Sequence, residues 1–219
     1  MKTQFGNIVI ITEAEHQSID FLAPAPEVVS GYDQPRMAVM TSNDPQRFEL
    51  MQWGYVPRQF GGNAEIMSKI GILLNARAET VLEKASFKNS IRHRRCIIPL
   101  EGFYDYQHRG TGRTKHTQLY YIDHCDGLLF AAGVWDEFEG LKTFAIVTTA
   151  ANPLMTEIHN KNPRQPHIIN PEDWSRWLGP LSDDEIMGML SVYPDDKLKA
   201  TEYHTPPPEI KGPEPGSLF

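Results

Sequence analysis

The stretch EIHNKNPRQP (157–166) crowds His159, Asn160, Lys161 and Arg164 together on a backbone that Pro163 and Pro166 stiffen. A histidine beside several hydrogen-bond donors suits an anion or a polar substrate, with the imidazole carrying a proton. It ends a short segment opened by Asn152 and Pro153, a helix start. That places the imidazole at a helix C-terminus, where the dipole favours its cation. PLEGFYDY (99–106) ends a strand in Glu101, Gly102 and Asp105 among Phe103, Tyr104 and Tyr106. A carboxyl buried among aromatics keeps its proton to higher pH and can serve as a general acid. The same residues also fit a hairpin turn with aspartate bonding its own backbone. In LLNARAET (73–80), Asn75 fits a helix cap or a substrate ligand, and Arg77 fits a pair with Glu79 or a phosphate contact. In QWGYVPRQF (52–60), Trp53 reads as core and Phe60, past the strand, as a side chain on which a base can stack.

Other chemistries lack their signatures. There is no G-x-S-x-G, no H-E-x-x-H and no glycine-rich phosphate loop. His159 and His167 have no cysteine or carboxylate at metal-ligand spacing, so neither metal nor cofactor is expected.

These clusters need elements to hold them. RMAVMT (36–41) and FELMQWGYV (48–56) flank a turn-rich SNDPQ and read as a hairpin. RCIIPL (95–100), QLYYID (118–123), LLFAAGVW (128–135) and TFAIVTT (143–149) read as an antiparallel meander. Ile8–Thr12 is a β-branched run, so the N-terminus is expected to be tied to a sheet with no leader before it. Helices are expected over 78–91, 152–159, 170–179 and 182–191, the last opened by a Ser182/Glu185 capping box. Strands run consecutively instead of alternating with helices. The pattern predicts an α+β fold: an antiparallel β-barrel-like sheet with flanking helices, one domain over 1–219, with 205–219 an extended Pro/Gly-rich strap.

The 219 residues are 40% hydrophobic, enough for one core, and no apolar run nears the ~18 residues a membrane helix needs. Cys96 and Cys125 lie beside apolar runs and read as buried free thiols in a reducing, cytoplasmic setting. The net charge of −7 opposes general nucleic-acid binding, yet basic residues gather in IRHRR (91–95) and at Arg109, Arg113, Lys115, Lys161 and Arg164. A local basic face and an ordinary solvated surface both fit that distribution.

In order and spacing, WGYVP (53–57), LNARAET (74–80), RCIIPLEGFYDY (95–106), AAGVWDEF (131–138), FAIVTTAAN (144–152) and IHNKNPRQP (158–166), with GPE in the tail, are similar to the SOS response-associated peptidase (SRAP) family. Its members react with abasic sites in single-stranded DNA. The resemblance is strongest over about residues 30–178. It implies a β-barrel-like α+β domain with a basic groove for single-stranded DNA carrying abasic sites, acting as a monomer without metal or cofactor. It also implies site roles for Asn75, Asp105 and His159 in the chemistry and for Arg77 and Arg164 in holding DNA, beside the Phe60 stacking position. The family's reacting group is a cysteine directly after the initiator methionine, whose amine and thiol close a thiazolidine ring on the abasic aldehyde. Lys2 stands at that position here, and Asp105 stands where the family has glutamate. The expectations are therefore capture of abasic sites through the N-terminal residue, a non-catalytic single-stranded DNA-binding relative, or a protease-like enzyme with His159 as base.

Overall fold

A computed structural model of the chain describes residues 2–5, through their backbone, and 27–203. The Ile8–Thr12 run and the 205–219 strap lie outside the described residues. The strands are β1 (Lys2–Phe5), β2 (Glu27–Ser30), β3 (Arg36–Thr41), β4 (Asp44–Trp53), β5 (Asn75–Arg77), β6 (Arg95–Leu100), β7 (Gly102–Arg109), β8 (His116–His124), β9 (Leu129–Phe138), β10 (Leu141–Ala150), β11 (Arg164–Pro166) and β12 (Leu198–Tyr203). The helices are α1 (Ala64–Ile70), α2 (Lys88–His93), α3 (Pro153–Ile158), α4 (Trp174–Leu178) and α5 (Asp183–Met189).

β10, β4, β3, β6 and β9 pair in that order, and β9 pairs back to β10, closing a barrel. A second, fully antiparallel sheet runs β12-β8-β7-β1-β2. The architecture is α+β, as the sequence predicts, but the single meander is not: β7 and β8 leave the barrel between β6 and β9 to build the second sheet. Nor is the barrel purely antiparallel, because β10 runs parallel to β4 and to β5. Those contacts join segments far apart in sequence, which no local pattern encodes.

β3, β6, β9 and β10 are buried over most of their length on both faces, which is why they read as apolar runs. In β10, Ala145 and Val147 face one core with Ile91 of α2, Trp177 of α4 and Ile186 of α5. Phe144 and Ile146 face the other, with Phe103 and Ile122 of the second sheet and Met155 and Ile158 of α3. Gly133 on β9 makes this layering possible: a Cβ there would lie 2.6 Å from Ile98 Cδ1 and 2.7 Å from the Cys96 sulfur.

The helix expected over 78–91 breaks into a 3-10 turn at Ala78–Thr80 and the short α2. The carbonyls that would have continued it are taken elsewhere: Gln59 Nε2 donates to Ala85 O (2.6 Å) and the Tyr55 hydroxyl to Ser86 O (3.0 Å). The segment over 170–179 likewise splits into a 3-10 turn, Pro171–Asp173, and α4. The capping box of α5 and the Asn152 cap of α3 form as read.

Much of the basic IRHRR run is structural. Arg95 is 2% exposed and donates to the carbonyls of Trp177, Ile91, Arg92 and Gly179, tying α2 to α4. Arg94 reaches the fully buried Asp136, which also receives Arg58 Nε at 2.6 Å. Arg92 is paired with Asp183 at 2.6 Å. Cys96 is buried as expected, but Cys125 is exposed, because it sits in the tight β8–β9 turn rather than in the strand beside it.

His167, 4% exposed, meets the Ser191 carbonyl through Nδ1 (3.1 Å). Burial lowers its pKa from 6.5 to about 4. A depressed histidine is neutral when folded and takes up a proton on unfolding. Stability is therefore full above pH 6.5 and falls as pH drops toward 4, by about 3 kcal/mol from this group. Urea unfolding at pH 7 and pH 4 should show that loss, and His167→Gln should remove most of its pH slope. An unchanged slope in the variant would assign the acid sensitivity elsewhere.

Candidate active site and nucleic-acid interface

The site grows from β10. Its parallel neighbour β5 puts Asn75 beside Ile146 and Arg77 beside Thr148. Trp53, wholly buried, fixes β5 by donating Nε1–H to Leu74 O (3.0 Å), and the Ile146 N–H donates to the same carbonyl. On the other side of β10, β11 pairs Arg164 with Ala150. The loop joining α3 to β11 is anchored from below: Asn152 N–H donates to Gln165 Oε1 (2.8 Å), and both side chains donate to Tyr193 O.

A cleft of about 400 Å³ opens over this frame, lined by Asn75, Arg77, Asp105, His159 and Arg164, with Tyr32, Ile72, Thr148 and Asn162 among its other walls. Residues from separate segments thus meet in one place. Asp105 Oδ2 lies 3.2 Å from His159 Nδ1, which is also 3.2 Å from the Arg164 carbonyl. Both neighbours of Nδ1 are acceptors, so Nδ1 carries a hydrogen. Burial raises the Asp105 pKa, opposed by the His159 charge and the Tyr106 N–H, which donates to Oδ1 at 2.8 Å. Asp105 lies within β7, not in a hairpin turn.

Arg164 holds Glu79 through both terminal nitrogens (3.0 and 2.9 Å) and donates to Thr148. Bonding to Arg164 lowers the Glu79 pKa. The Arg77–Glu79 pairing weighed from the sequence is therefore taken by Arg164; Arg77 is exposed and makes no ion pair among the described residues. Asn75 is no helix cap: it is an exposed strand residue, and the N-cap of the following 3-10 turn is Arg77, which makes no side-chain cap bond.

Phe60 does not line this cleft. It sits in the turn after Pro57, whose carbonyl accepts its N–H (2.9 Å). The exposed aromatic at the cleft is Tyr32, 62% exposed, which sequence reasoning missed. Its signal was the SGYDQP turn, where an aromatic has no strand to bury it. Asn160 and Lys161 also turn away from His159, toward a different cavity. For Lys2 the backbone gives the position: it pairs with Tyr104, the residue before Asp105, and with Ser30, the cap of the turn that carries Tyr32. The first strand therefore starts at the edge of the cleft.

A closed barrel with an added antiparallel sheet, and a cleft lined by a carboxylate–histidine pair and arginines, define a class of domain that other proteins share. The family profile described as "SOS response associated peptidase (SRAP)" matches residues 6–205, and the chain belongs to this family. "Abasic site processing protein YoqW" of Bacillus subtilis is 31% identical over 208 residues, covering 90% of this chain and 87% of that one. "Abasic site processing protein HMCES" of mouse is 27% identical over 180 residues, 68% of this chain and 49% of its own. A crystal structure of a Bacteroides thetaiotaomicron protein superposes with a TM-score of 0.72 at 32% identity, covering 80% of this chain and 76% of the other.

Proposed function

We propose that this chain binds single-stranded DNA and processes abasic sites, capturing the abasic aldehyde with an amine at its N-terminus. The observation that carries the reading is the cleft itself: His159 paired with a half-buried Asp105, Arg77 and Arg164 beside them, and the first strand in register with Tyr104. Family membership and the relatives' abasic-site names support the same conclusion.

The roles follow from the chemistry. Arg77, exposed and without an ion pair among the described residues, holds a backbone phosphate, and Arg164 does so by exchanging Glu79 for the phosphate. Asn75 orients the sugar remnant, and Tyr32 offers a ring to a neighbouring base. An amine nitrogen adds to the aldehyde carbon to give a carbinolamine. Its hydroxyl then leaves as water on receiving a proton, while nitrogen loses one, and an imine remains. Asp105, with its raised pKa, and His159 are the groups placed to move those protons. A binding-only relative is the second reading, favoured by the missing thiol at Lys2. The protease-like reading has less support, because no serine or cysteine among the described residues lines the cleft. We read the protein as a monomer in the cytoplasm, in keeping with its free thiols.

Binding to labelled single strands over a salt series tests the reading. Arg77→Ala and Arg164→Ala are each expected to weaken binding severalfold and to flatten the salt slope by about 0.7. Unchanged affinity in both variants would remove the cleft as the DNA site.

A further inference from the structure

On the far side of the His159 loop lies a cavity of about 460 Å³ lined by His108, Arg109, Lys115, His116, Asn160 and Lys161. No carboxylate lines it among the described residues, in a protein whose net charge is −7. Arg109 is committed: it is bonded to Glu202 (2.6 Å) and to the Tyr120 hydroxyl. Lys115 and Lys161 are exposed and make no ion pair among the described residues.

This cavity has fixed walls. Asn160 clasps β7 in both directions, accepting the His108 N–H (3.1 Å) and donating to its carbonyl (2.9 Å). Lys115 and His116 follow a turn locked by Thr111 and Thr114, which exchange bonds at 3.2 and 2.8 Å. Gly110 enters that turn at φ +73, where a Cβ would collide with the Thr114 carbonyl. The cavity also shares its walls with the first cleft. In the loop after α3, His159 and Asn162 line the cleft while Asn160 and Lys161 line the cavity. Along β7, Asp105 lines one and His108 the other, about 10 Å apart at strand rise.

We propose that this cavity is a second anion site, taking a backbone phosphodiester of the same DNA strand beside the nucleotide held in the cleft. At the ~3.4 Å per-nucleotide rise of a duplex strand, a backbone leaving the cleft reaches it within about three nucleotides, and sooner when stretched. The inference rests on the single-stranded DNA reading above.

The test compares the unmodified protein with Lys115→Ala/Lys161→Ala on two abasic ligands: a trinucleotide with the abasic site at its centre, whose single flanking nucleotides fall short of the cavity, and a ~15-mer. The double variant should bind the ~15-mer about tenfold more weakly, with a salt slope lower by about 1.4, and should bind the trinucleotide like the unmodified protein. The trinucleotide also reports that the variant folds. Equal affinity of the two proteins for the ~15-mer would overturn the second site and leave the first reading standing. No binding of either ligand by the unmodified protein would overturn both.

Discussion

Asp105→Asn and His159→Ala are each expected to slow borohydride-trapped adduct formation on an abasic strand by about 10²–10⁴-fold at pH 7, the range that a positioned proton-transfer group supplies. Phosphate binding is assigned to Arg77 and Arg164, so affinity for the strand should change far less than rate. Asparagine keeps the shape of Asp105 but can neither give nor take the proton. The two groups are 3.2 Å apart and act as one relay, so the double variant should cost little more than either single one. Burial raises the Asp105 pKa, so as proton donor it should stay effective to higher pH than a surface aspartate before the rate falls. Trapping rates across pH for the three variants would check this. Multiplicative losses in the double variant would mean that the two residues act separately.

Lys2→Cys is expected to convert the adduct from one seen only after reduction to one stable without it. A thiazolidine forms when amine and thiol both add to the aldehyde carbon with loss of one water, and the five-membered ring resists hydrolysis. Lys2 brings only a second amine. An ε-amine, with a reference pKa of about 10.4, is almost wholly protonated at pH 7, whereas an α-amine near about 7.7 is partly free. An imine from either returns to aldehyde and amine in water. The cysteine variant, with its initiator methionine removed, should therefore give a band that survives denaturing gels without borohydride. A variant so processed that gives no such band would shift the defect from the missing thiol to Asp105, which stands where the family has glutamate.

The residues that meet at the cleft are more legible in the sequence than the scaffold that holds them. His159, Asp105, Asn75, Arg77 and Arg164 stand out because they fall in polar clusters at the ends of elements, and all of them line the cleft. Phe60 was read by the same logic, but the chain turns after Pro57 and leaves it elsewhere, while Tyr32 takes the exposed position. The parallel pairing of β5 with β10 joins residues such as Asn75 and Ile146, and no short-range pattern encodes a contact of that separation. Helix ends followed the capping rules at Asn152 and Ser182. The expected 78–91 helix failed where Gln59 and Tyr55 claimed its carbonyls, a tertiary override of local propensity.

The most direct test is a denaturing gel of the unmodified protein with a labelled single strand bearing one abasic site, run with and without borohydride beside an intact strand. A slower band that needs both the abasic site and the reductant is the predicted result. No band under any condition would contradict capture through an N-terminal amine and leave the chain a binder alone.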